Sequence, residues 1–342
     1  MKKRKLLTSL SSLGVLAAAA PIVATSCSSD NISYANGMIF DGKVYEIEKN
    51  CDLNSFCWVP TLFSTTEYFM SIKLANGDYF NITKDNKDKL TKLKITDINK
   101  SVKFIANDFL SDMPCLKSLE IGDYSHITEI GDRFLLANTL STVDISTFTN
   151  VELIGDDFLA MSYNLTGPEI KDPTNGYQKL HTIGKHFIAG CPKFTTADLT
   201  SFNYSPIANL KIGEGMYSDC YNLKTVYAGK ITPANMGYDT WVVEGTPAKW
   251  SLVRNETPTE DIETFTCWFL SDNISDEKYN ALKFEVLCDD QTVVDAWKAA
   301  QPEGATPNRL NLLRNREWVD PLNKSIVMYG NRNFEVKVGQ KQ

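Results

Sequence analysis

Apolar residues recur in the middle of the chain at a spacing that is typical of stacked repeats. Isoleucines follow one another at intervals of 25, 24, 29 and 29 residues. The recurring positions are the isoleucines Ile105, Ile130, Ile154, Ile183 and Ile212, then, four residues later, Phe109, Phe134, Phe158, Phe187 and Met216, and, eight residues later, Met113, Asn138, Ser162, Cys191 and Cys220. Positions i, i+4 and i+8 share one face of a helix. The pattern therefore predicts one short helix with a buried stripe in each unit.

A second pattern, with a period of two, completes each unit. The alternating pairs are Leu119/Ile121, Val143/Ile145, Pro168/Ile170, Ala197/Leu199 and Val226/Ala228. This alternation predicts a short strand with one face inward. A unit of one strand and one helix is too small to bury its own apolar side, so neighbouring units must share a core. The sequence thus predicts an α/β fold, a repeat solenoid over residues 93–230.

The segments "IGDRFLLANTLSTVDI" and "IGEGMYSDCYNLKTVYA" resemble the BspA-type leucine-rich repeat. Cys191 and Cys220 stand at the position where that family commonly has cysteine, whereas Pro168 and Met216 depart from its pattern. The resemblance covers about residues 102–230. It implies a leucine-rich repeat solenoid that serves as a binding surface and has no catalytic role.

The regions outside the repeats are predicted to cap the two ends of the solenoid. Residues 33–92 suggest a β-rich N-terminal cap, with turns at Asp41-Gly42 and Asn76-Gly77; a separate ligand domain is the alternative. Residues 231–342 are interpreted as a degenerate extension of the repeats with an α+β C-terminal cap. There, "FEVLCDDQTVVDAWKAA" predicts a strand followed by a short helix that Asp289 or Asp290 caps.

The first 32 residues have the pattern of an export signal and a tether. A basic start and an uncharged apolar stretch lead to "ATSC", which is the arrangement of a secretory leader. The motif resembles the lipobox of bacterial lipoproteins in its loose, mollicute-like form, which implies removal of residues 1–26 and lipidation of Cys27. Residues 27–32 would then form a tether, and the protein would be lipid-anchored on the outer face of the cell membrane. A retained transmembrane helix is the alternative.

Charge and cysteine content narrow the possible partners and cofactors. Without residues 1–26 the chain has 31 basic and 42 acidic residues, a net charge of −11, which does not favour binding to nucleic acid. Seven cysteines follow Cys27, and Cys51 and Cys57 are close enough in sequence to form a local disulfide. We find no familiar catalytic motif and no metal-ligand spacing among the cysteines and the three histidines. We therefore expect no cofactor and no enzymatic activity.

Two groups of residues are candidates for binding. The first is the row of strand residues that should face outward in successive units, namely Glu120, Asp144, Glu169, Asp198 and then Tyr227. Stacked about 4.8 Å apart, these side chains would form an acidic ligand face for a basic partner or a cation, or would simply keep the sheet soluble. The second group is Tyr177, Phe202 and Tyr204, in the longer third and fourth units. These aromatic side chains would contact a partner from loops, or would pack against each other.

The pattern and the resemblance together suggest a surface lipoprotein that binds another protein, with adhesion to a host surface or to extracellular matrix as its use. Three alternatives stay open. The first is a solute-binding lipoprotein of a transporter, which would need two lobes and a cleft. The second is an enzyme with its site in residues 231–342, and the third is a structural role in a surface assembly.

Overall fold

The computed structural model describes residues 31–167, 170–173, 175–205, 209–213, 215–232, 235, 284–299 and 334–341, and six further strands between residues 239 and 331. The predicted leader, Cys27 and Glu169 lie outside these residues, as does most of the tether.

The N-terminal region consists of antiparallel strands, in agreement with the prediction of a β-rich segment there. Its strands are β1 (Asn36–Phe40), β2 (Lys43–Glu46), β3 (Val59–Thr61), β4 (Ser64–Lys73), β5 (Tyr79–Thr83) and β6 (Leu90–Ile95). The predicted Asp41-Gly42 turn joins β1 to β2, and both of its residues have positive φ, as a two-residue hairpin loop requires. A turn at Asn76-Gly77 joins β4 to β5.

The repeat region consists of short parallel strands. They are β7 (Phe104–Ile105), β8 (Ser118–Ile121), β9 (Glu129–Ile130), β10 (Val143–Asp144), β11 (Leu153–Ile154), β12 (Ile170–Lys171), β13 (Thr182–Ile183), β14 (Thr196–Asp198), β15 (Lys211–Ile212) and β16 (Thr225–Gly229). One five-stranded sheet has the order β15-β13-β11-β9-β7 and aligns the repeated isoleucines in register. The other strands pair as β6-β8, β10-β12 and β14-β16.

The C-terminal region adds two strands to this stack. The elements are β17 (Asp239–Glu244), β18 (Lys249–Arg254), β19 (Glu263–Phe265), β20 (Leu270–Asp272), β21 (Phe284–Cys288), α1 (Gln291–Ala299), β22 (Arg316–Val319), β23 (Ile326–Asn331) and β24 (Phe334–Val338). Strand β21 pairs in parallel with β16, and β24 pairs in parallel with β21. The predicted strand and helix are confirmed, and Asp290 is the cap, since its Oδ1 accepts a hydrogen bond from the Val293 amide at 3.1 Å.

The prediction of an α/β leucine-rich repeat solenoid with a helix in each repeat is wrong. Helix α1 is the only α-helix among the described residues, and they form mainly parallel and mixed sheets. In the first three repeats the segments predicted as helices have positive φ at every second residue, for example 60° at Arg133, 55° at Leu135 and 53° at Ala137, which a right-handed helix excludes. The last two repeats have positive φ at His186 and Gly190, and at Gly215 and Asp219.

Hydrogen bonds between repeats explain this conformation. The amides of Arg133 and Ala137 donate to carbonyls of the following repeat, whereas the amide of Leu135 donates to Phe109 of the preceding one. The N–H groups of these three residues therefore point alternately towards the following and the preceding repeat. Backbone groups that a helix would satisfy within itself are satisfied here by the neighbouring repeats.

The recurring Ile-Gly pair fits the same stacking. The isoleucine is buried, and the glycine permits a close approach of the preceding repeat, since a Cβ at Gly131 would lie 2.5 Å from Asn107 Oδ1. The polar residue after the glycine completes the contact: Asp132 Oδ1 accepts a hydrogen bond from the Asp156 amide of the next repeat at 2.9 Å. A Cβ at Gly155 would meet that same oxygen at 2.6 Å.

One apolar core runs through the N-terminal strands, the repeats and α1. It extends from Met38 to Trp297 and contains the repeated phenylalanines, which are buried as predicted. Their rings form a stack, with centroids 5.0 Å apart for Phe109 and Phe134 and for Phe134 and Phe158. The stacked rings form a continuous interior that supports the surface of the repeats.

Candidate functional site: a groove beside the first repeats

Of the predicted acidic row, the structure describes Glu120, Asp144, Asp198 and Tyr227. Glu120 pairs with Lys94, with Nζ and Oε1 3.3 Å apart, and the strand neighbour of Asp144 is Lys171. The expected register would have placed Glu169 beside Asp144, but Ile170 pairs with Val143 instead. Sheet register therefore places a lysine beside Glu120 and beside Asp144, where the sequence suggested acidic neighbours.

Two acidic residues of this row, Asp144 and Asp198, are the last residues of their strands. Asp144 Oδ1 accepts hydrogen bonds from the amide and the hydroxyl of Ser146, at 3.1 and 2.6 Å. Asp198 accepts the same two bonds from Thr200 and lies beside Tyr227, as predicted. Short polar side chains commonly bond the backbone two residues later in turns. A local turn therefore explains the acid at these positions.

A buried polar cluster lies behind Asp198. Lys341, near the C-terminus, contacts Asp198 with Nζ and Oδ2 2.6 Å apart. Burial raises the pKa of Asp198, but hydrogen bonds from Lys341 and Thr200 outweigh that effect and lower it below its usual value. Asp172 lines the same cavity of about 50 Å³, and burial raises its pKa to about 6. The contact between Lys341 and Asp198 at this small cavity attaches the C-terminal segment to the repeats.

The three aromatic loop residues divide into two buried side chains and one exposed side chain. The rings of Tyr177 and Phe202 are buried with their centroids 5.3 Å apart, so they pack against each other. The Tyr177 hydroxyl donates to Asp172 Oδ1 at 2.9 Å. Tyr204 is 59% exposed and is the one residue of the three whose side chain is available to a partner.

A larger surface feature lies where the N-terminal region meets the first repeats. We call it the N-terminal groove; it has a volume of about 540 Å³ and is lined by Trp58, Val59, Phe104, Asp108, Glu129 and Leu153, among others. Val59 and Phe104 are exposed by 41% and 53%. Its wall and floor thus combine apolar side chains with carboxylates on an open surface.

Sheet register aligns one row of residues in the groove. Phe104, Glu129 and Leu153 are the first residues of β7, β9 and β11 and are paired side by side. The isoleucine that follows each of them is buried, so the alternation of a strand points these three outward. The row therefore presents an acidic side chain between two apolar ones, spaced about 4.8 Å apart.

The 3-10 turn Leu53–Phe56 attaches the N-terminal region to this edge of the sheet. Asn54 Oδ1 accepts a hydrogen bond from the Ala106 amide at 2.8 Å, immediately after β7. Trp58 is buried next to it and donates from Nε1 to the Ser111 carbonyl at 2.7 Å, and Lys84 Nζ lies 4.2 Å from the centre of its ring. These contacts hold the groove wall in place before any ligand binds.

Two charged residues complete the rim. Arg133 binds Asp108 through Nε and Nη2, at 2.7 and 2.8 Å, and this hydrogen bonding raises the pKa of the guanidinium. Because Asp108 is already neutralised by this pair, Glu129 is the exposed carboxylate that contributes net negative charge at the floor of the groove.

The predicted Cys51–Cys57 disulfide is not formed. Cys51, Cys57, Cys115, Cys191, Cys220 and Cys288 are all reduced thiols. Burial raises the pKa of Cys51 and of Cys57 to about 12, helped by nearby carboxylates. Cys191 and Cys220 are core side chains, as predicted.

Sequence reasoning missed the groove because its residues come from segments with different patterns. Phe104 directly precedes a repeated isoleucine and was not part of any periodic set, and Val59 belongs to the irregular "FCWVP" segment. A signal was available in the residue before each isoleucine, where two apolar side chains interrupt a polar series.

Within the part of the chain that the structure describes, no group of histidine, cysteine or acidic residues could hold a metal ion, and no helix is long and apolar enough to cross a membrane. Comparisons of this chain with protein-family models, with curated proteins and with solved structures returned no match.

Proposed function

We propose that this protein is a lipid-anchored surface protein whose stack of β-repeats presents a non-catalytic binding site for another protein, used for adhesion to a host component. The observation that carries the proposal is the N-terminal groove, in which Phe104 is 53% exposed beside acidic side chains. An exposed apolar patch with a polar rim is typical of an interaction site.

The row on the floor of the groove defines the chemistry of the ligand. An extended segment with a basic residue between two apolar residues would match Glu129 between Phe104 and Leu153. Charge complementarity of this kind increases specificity and the rate of association more than affinity. Host-surface and extracellular-matrix proteins with such segments are the partners that we expect.

Cys27 is the proposed site of the lipid. The basic start, the uncharged apolar stretch and the small residues before Cys27 support this assignment. Labelling cells with palmitate tests it, because we expect label on the wild-type chain and none on Cys27→Ala. Label that persists in the variant would contradict the anchor.

The groove is tested by adhesion of cells that display the full chain to immobilised host-surface or matrix proteins. We expect Phe104→Ser to weaken adhesion about tenfold or more, because an apolar side chain at the centre of an interface contributes strongly to binding. Glu129→Gln should have a smaller effect and should reduce the dependence on salt.

Tyr163→Ser is the matched control, since Tyr163 is 51% exposed but does not line the groove. Adhesion that is equal in the wild type, Phe104→Ser and Tyr163→Ser would contradict a binding role for the groove. Surface display of each variant is measured in parallel, so that loss of expression is separated from loss of binding.

The single core supports a binding protein over a two-lobed solute receptor. Two lobes would each have a core, whereas the buried apolar residues in the described part of the chain form one cluster.

A further inference from the structure

The hairpin between β3 and β4 ends in two fully exposed apolar side chains. Leu62 is 93% exposed and Phe63 is 98% exposed, although large apolar side chains are usually at least partly covered. We call residues 61–64 the hairpin tip. The sequence from Trp58 to Thr66 contains no charged residue, so the tip is apolar or uncharged throughout.

The tip extends beyond the sheet to which it belongs. Strand β5 pairs with residues 69–73 of β4. Beyond these residues, Tyr68 and Ser64 pair with the adjacent residues Pro60 and Thr61 of β3, and residues 65–67 form a bulge between them. Four of residues 64–68 are exposed. The hairpin therefore carries Leu62 and Phe63 away from the body of the protein.

The polar groups of the tip bond to one another. The Thr61 hydroxyl donates to the Ser64 carbonyl and accepts from the Ser64 amide, both at 3.1 Å. The Thr66 amide donates to the Ser64 hydroxyl at 3.1 Å. A segment that satisfies its own hydrogen bonds can enter an apolar phase at a much smaller free-energy cost than one that leaves these groups unpaired.

The location of the hairpin tip relative to the proposed lipid on Cys27 indicates that this apolar phase is a membrane. The far end of β4 is bridged to Ile47, whose amide donates to the Asn36 carbonyl at 3.0 Å. The ten residues of β4 span about 33 Å from that point to the tip. Residues Ile32 and Ala35 pack against the N-terminal strands, so the tether runs from Asn31 back to Cys27 and reaches about 14 Å when extended. A lipid on Cys27 would therefore hold the bilayer close to the N-terminal region, which carries the hairpin tip.

We propose that Leu62 and Phe63 insert into the boundary between headgroups and acyl chains of the membrane that anchors the chain. This inference rests on the proposed lipid anchor and gives the anchored protein a fixed orientation, because a flexible tether alone would leave it free to rotate. Apolar side chains on a small protruding element commonly add the second contact that a single lipid lacks.

The test uses the full chain in phosphatidylcholine vesicles that carry a doxyl group on an acyl chain, which quenches a fluorophore only at short range. Phe63→Cys and Tyr163→Cys are each labelled with an environment-sensitive fluorophore, and the chain without an added cysteine gives the background. Buried Cys51 and Cys57, with pKa values raised to about 12, will react little. We expect quenching at position 63 and none at position 163.

Equal quenching at both positions, or quenching at neither, would overturn the proposal. A second variant, Leu62→Ser/Phe63→Ser, should leave the vesicles about tenfold faster or more, since each apolar side chain contributes about tenfold or more to partition. Both side chains are exposed, so the change leaves the fold intact. A double variant that loses adhesion to host proteins but leaves the vesicles at the wild-type rate would indicate a protein partner instead and would also overturn the proposal.

The same measurements separate this inference from the proposed anchor. If palmitate label persists in Cys27→Ala, the anchor assignment fails, whereas quenching at position 63 still supports insertion. If the label is lost as expected but position 63 of the anchored wild-type chain is not quenched, insertion fails and the anchor stands.

Discussion

Ala137 illustrates how the repeats use a backbone conformation that most residues avoid. It is half-buried and has a φ of 53°, where a Cβ makes the left-handed conformation cost about 1–2 kcal/mol. The neighbouring positive-φ residues Arg133 and Leu135 bear the same cost. Hydrogen bonds to the adjacent repeats offset it, so this free energy is stored in the stack.

Ala137→Gly should therefore raise the free energy of unfolding by about 1 kcal/mol, because glycine adopts positive φ without steric cost. Ala296→Gly is the matched control, since Ala296 lies within helix α1; there glycine should lower the free energy of unfolding by about 1 kcal/mol. Urea unfolding of the two variants measures both changes. Destabilisation of equal size at both positions would contradict the non-helical backbone.

Asp172 should make the stability of the protein depend on pH. Its pKa is raised to about 6 by burial, whereas an unfolded carboxyl titrates near 3.8. The folded state therefore prefers the protonated form, and stability is lost as pH rises from about 4 to 6. We expect Asp172→Asn, which keeps an acceptor for the Tyr177 hydroxyl, to match the wild type at pH 4 and to be about 2–3 kcal/mol more stable at pH 7.

Asp123→Asn provides a control of opposite sign. Hydrogen bonds from Ser125 and Lys100 lower the pKa of Asp123 to about 2, so its contribution to stability is present above pH 4 and is lost as pH falls towards 2. This variant should be less stable than the wild type at pH 7. Parallel stability curves for wild type and Asp172→Asn between pH 4 and 7 would contradict the assigned cause.

At the scale of elements, the phenylalanine stack is one of the contacts that join each repeat to the next. The Phe134 ring lies 5.0 Å from both Phe109 and Phe158 and is 1% exposed. Removing it opens a cavity in the interior and breaks two ring contacts at once. The loss therefore affects three successive repeats.

Phe134→Ala should lower the free energy of unfolding by about 3–5 kcal/mol. Phe104→Ala, at a 53% exposed position, should change it by less than about 1 kcal/mol, which makes it the control for loss of an aromatic side chain. Chemical denaturation of both variants checks the difference. Similar losses in the two variants would place the stabilising contact outside the stack.

At the scale of the whole molecule, the described residues share one core that contains no disulfide. The six described cysteines are unpaired, and five of them are buried in that core, namely Cys51, Cys57, Cys191, Cys220 and Cys288. Unpaired buried cysteine behaves as a small apolar side chain. Export to an oxidising environment would therefore leave these thiols protected by burial.

A reducing agent should leave the melting temperature of the protein unchanged. The five buried thiols should react with a thiol reagent only at the rate of unfolding, because burial blocks access to them. Mass measurement of labelled protein before and after denaturation checks this expectation. A marked fall in melting temperature on reduction would show that a disulfide contributes to stability.

Several features of the structure could be predicted from the sequence because they depend on which side chains are apolar. The repeated isoleucines and phenylalanines indicated the buried positions and their spacing. The rule that an acidic or polar side chain caps a helix limited the cap of α1 to Asp289 or Asp290, and the structure uses Asp290. Turn chemistry also identified the Asp41-Gly42 hairpin. Each of these depends on local sequence and on the side-chain preference for water or core.

Tertiary structure alone decided the conformation of the predicted helices and the surroundings of the acidic side chains. A single helical turn is only marginally stable by itself, so adjacent repeats, with their free carbonyls and amides, determined the alternating backbone around Ala137. Contacts between segments that are distant in sequence likewise formed the ion pairs of Lys94 with Glu120 and of Lys341 with Asp198. The groove between Val59 and Phe104 exists only because segments 45 residues apart meet, and no local pattern records such a contact.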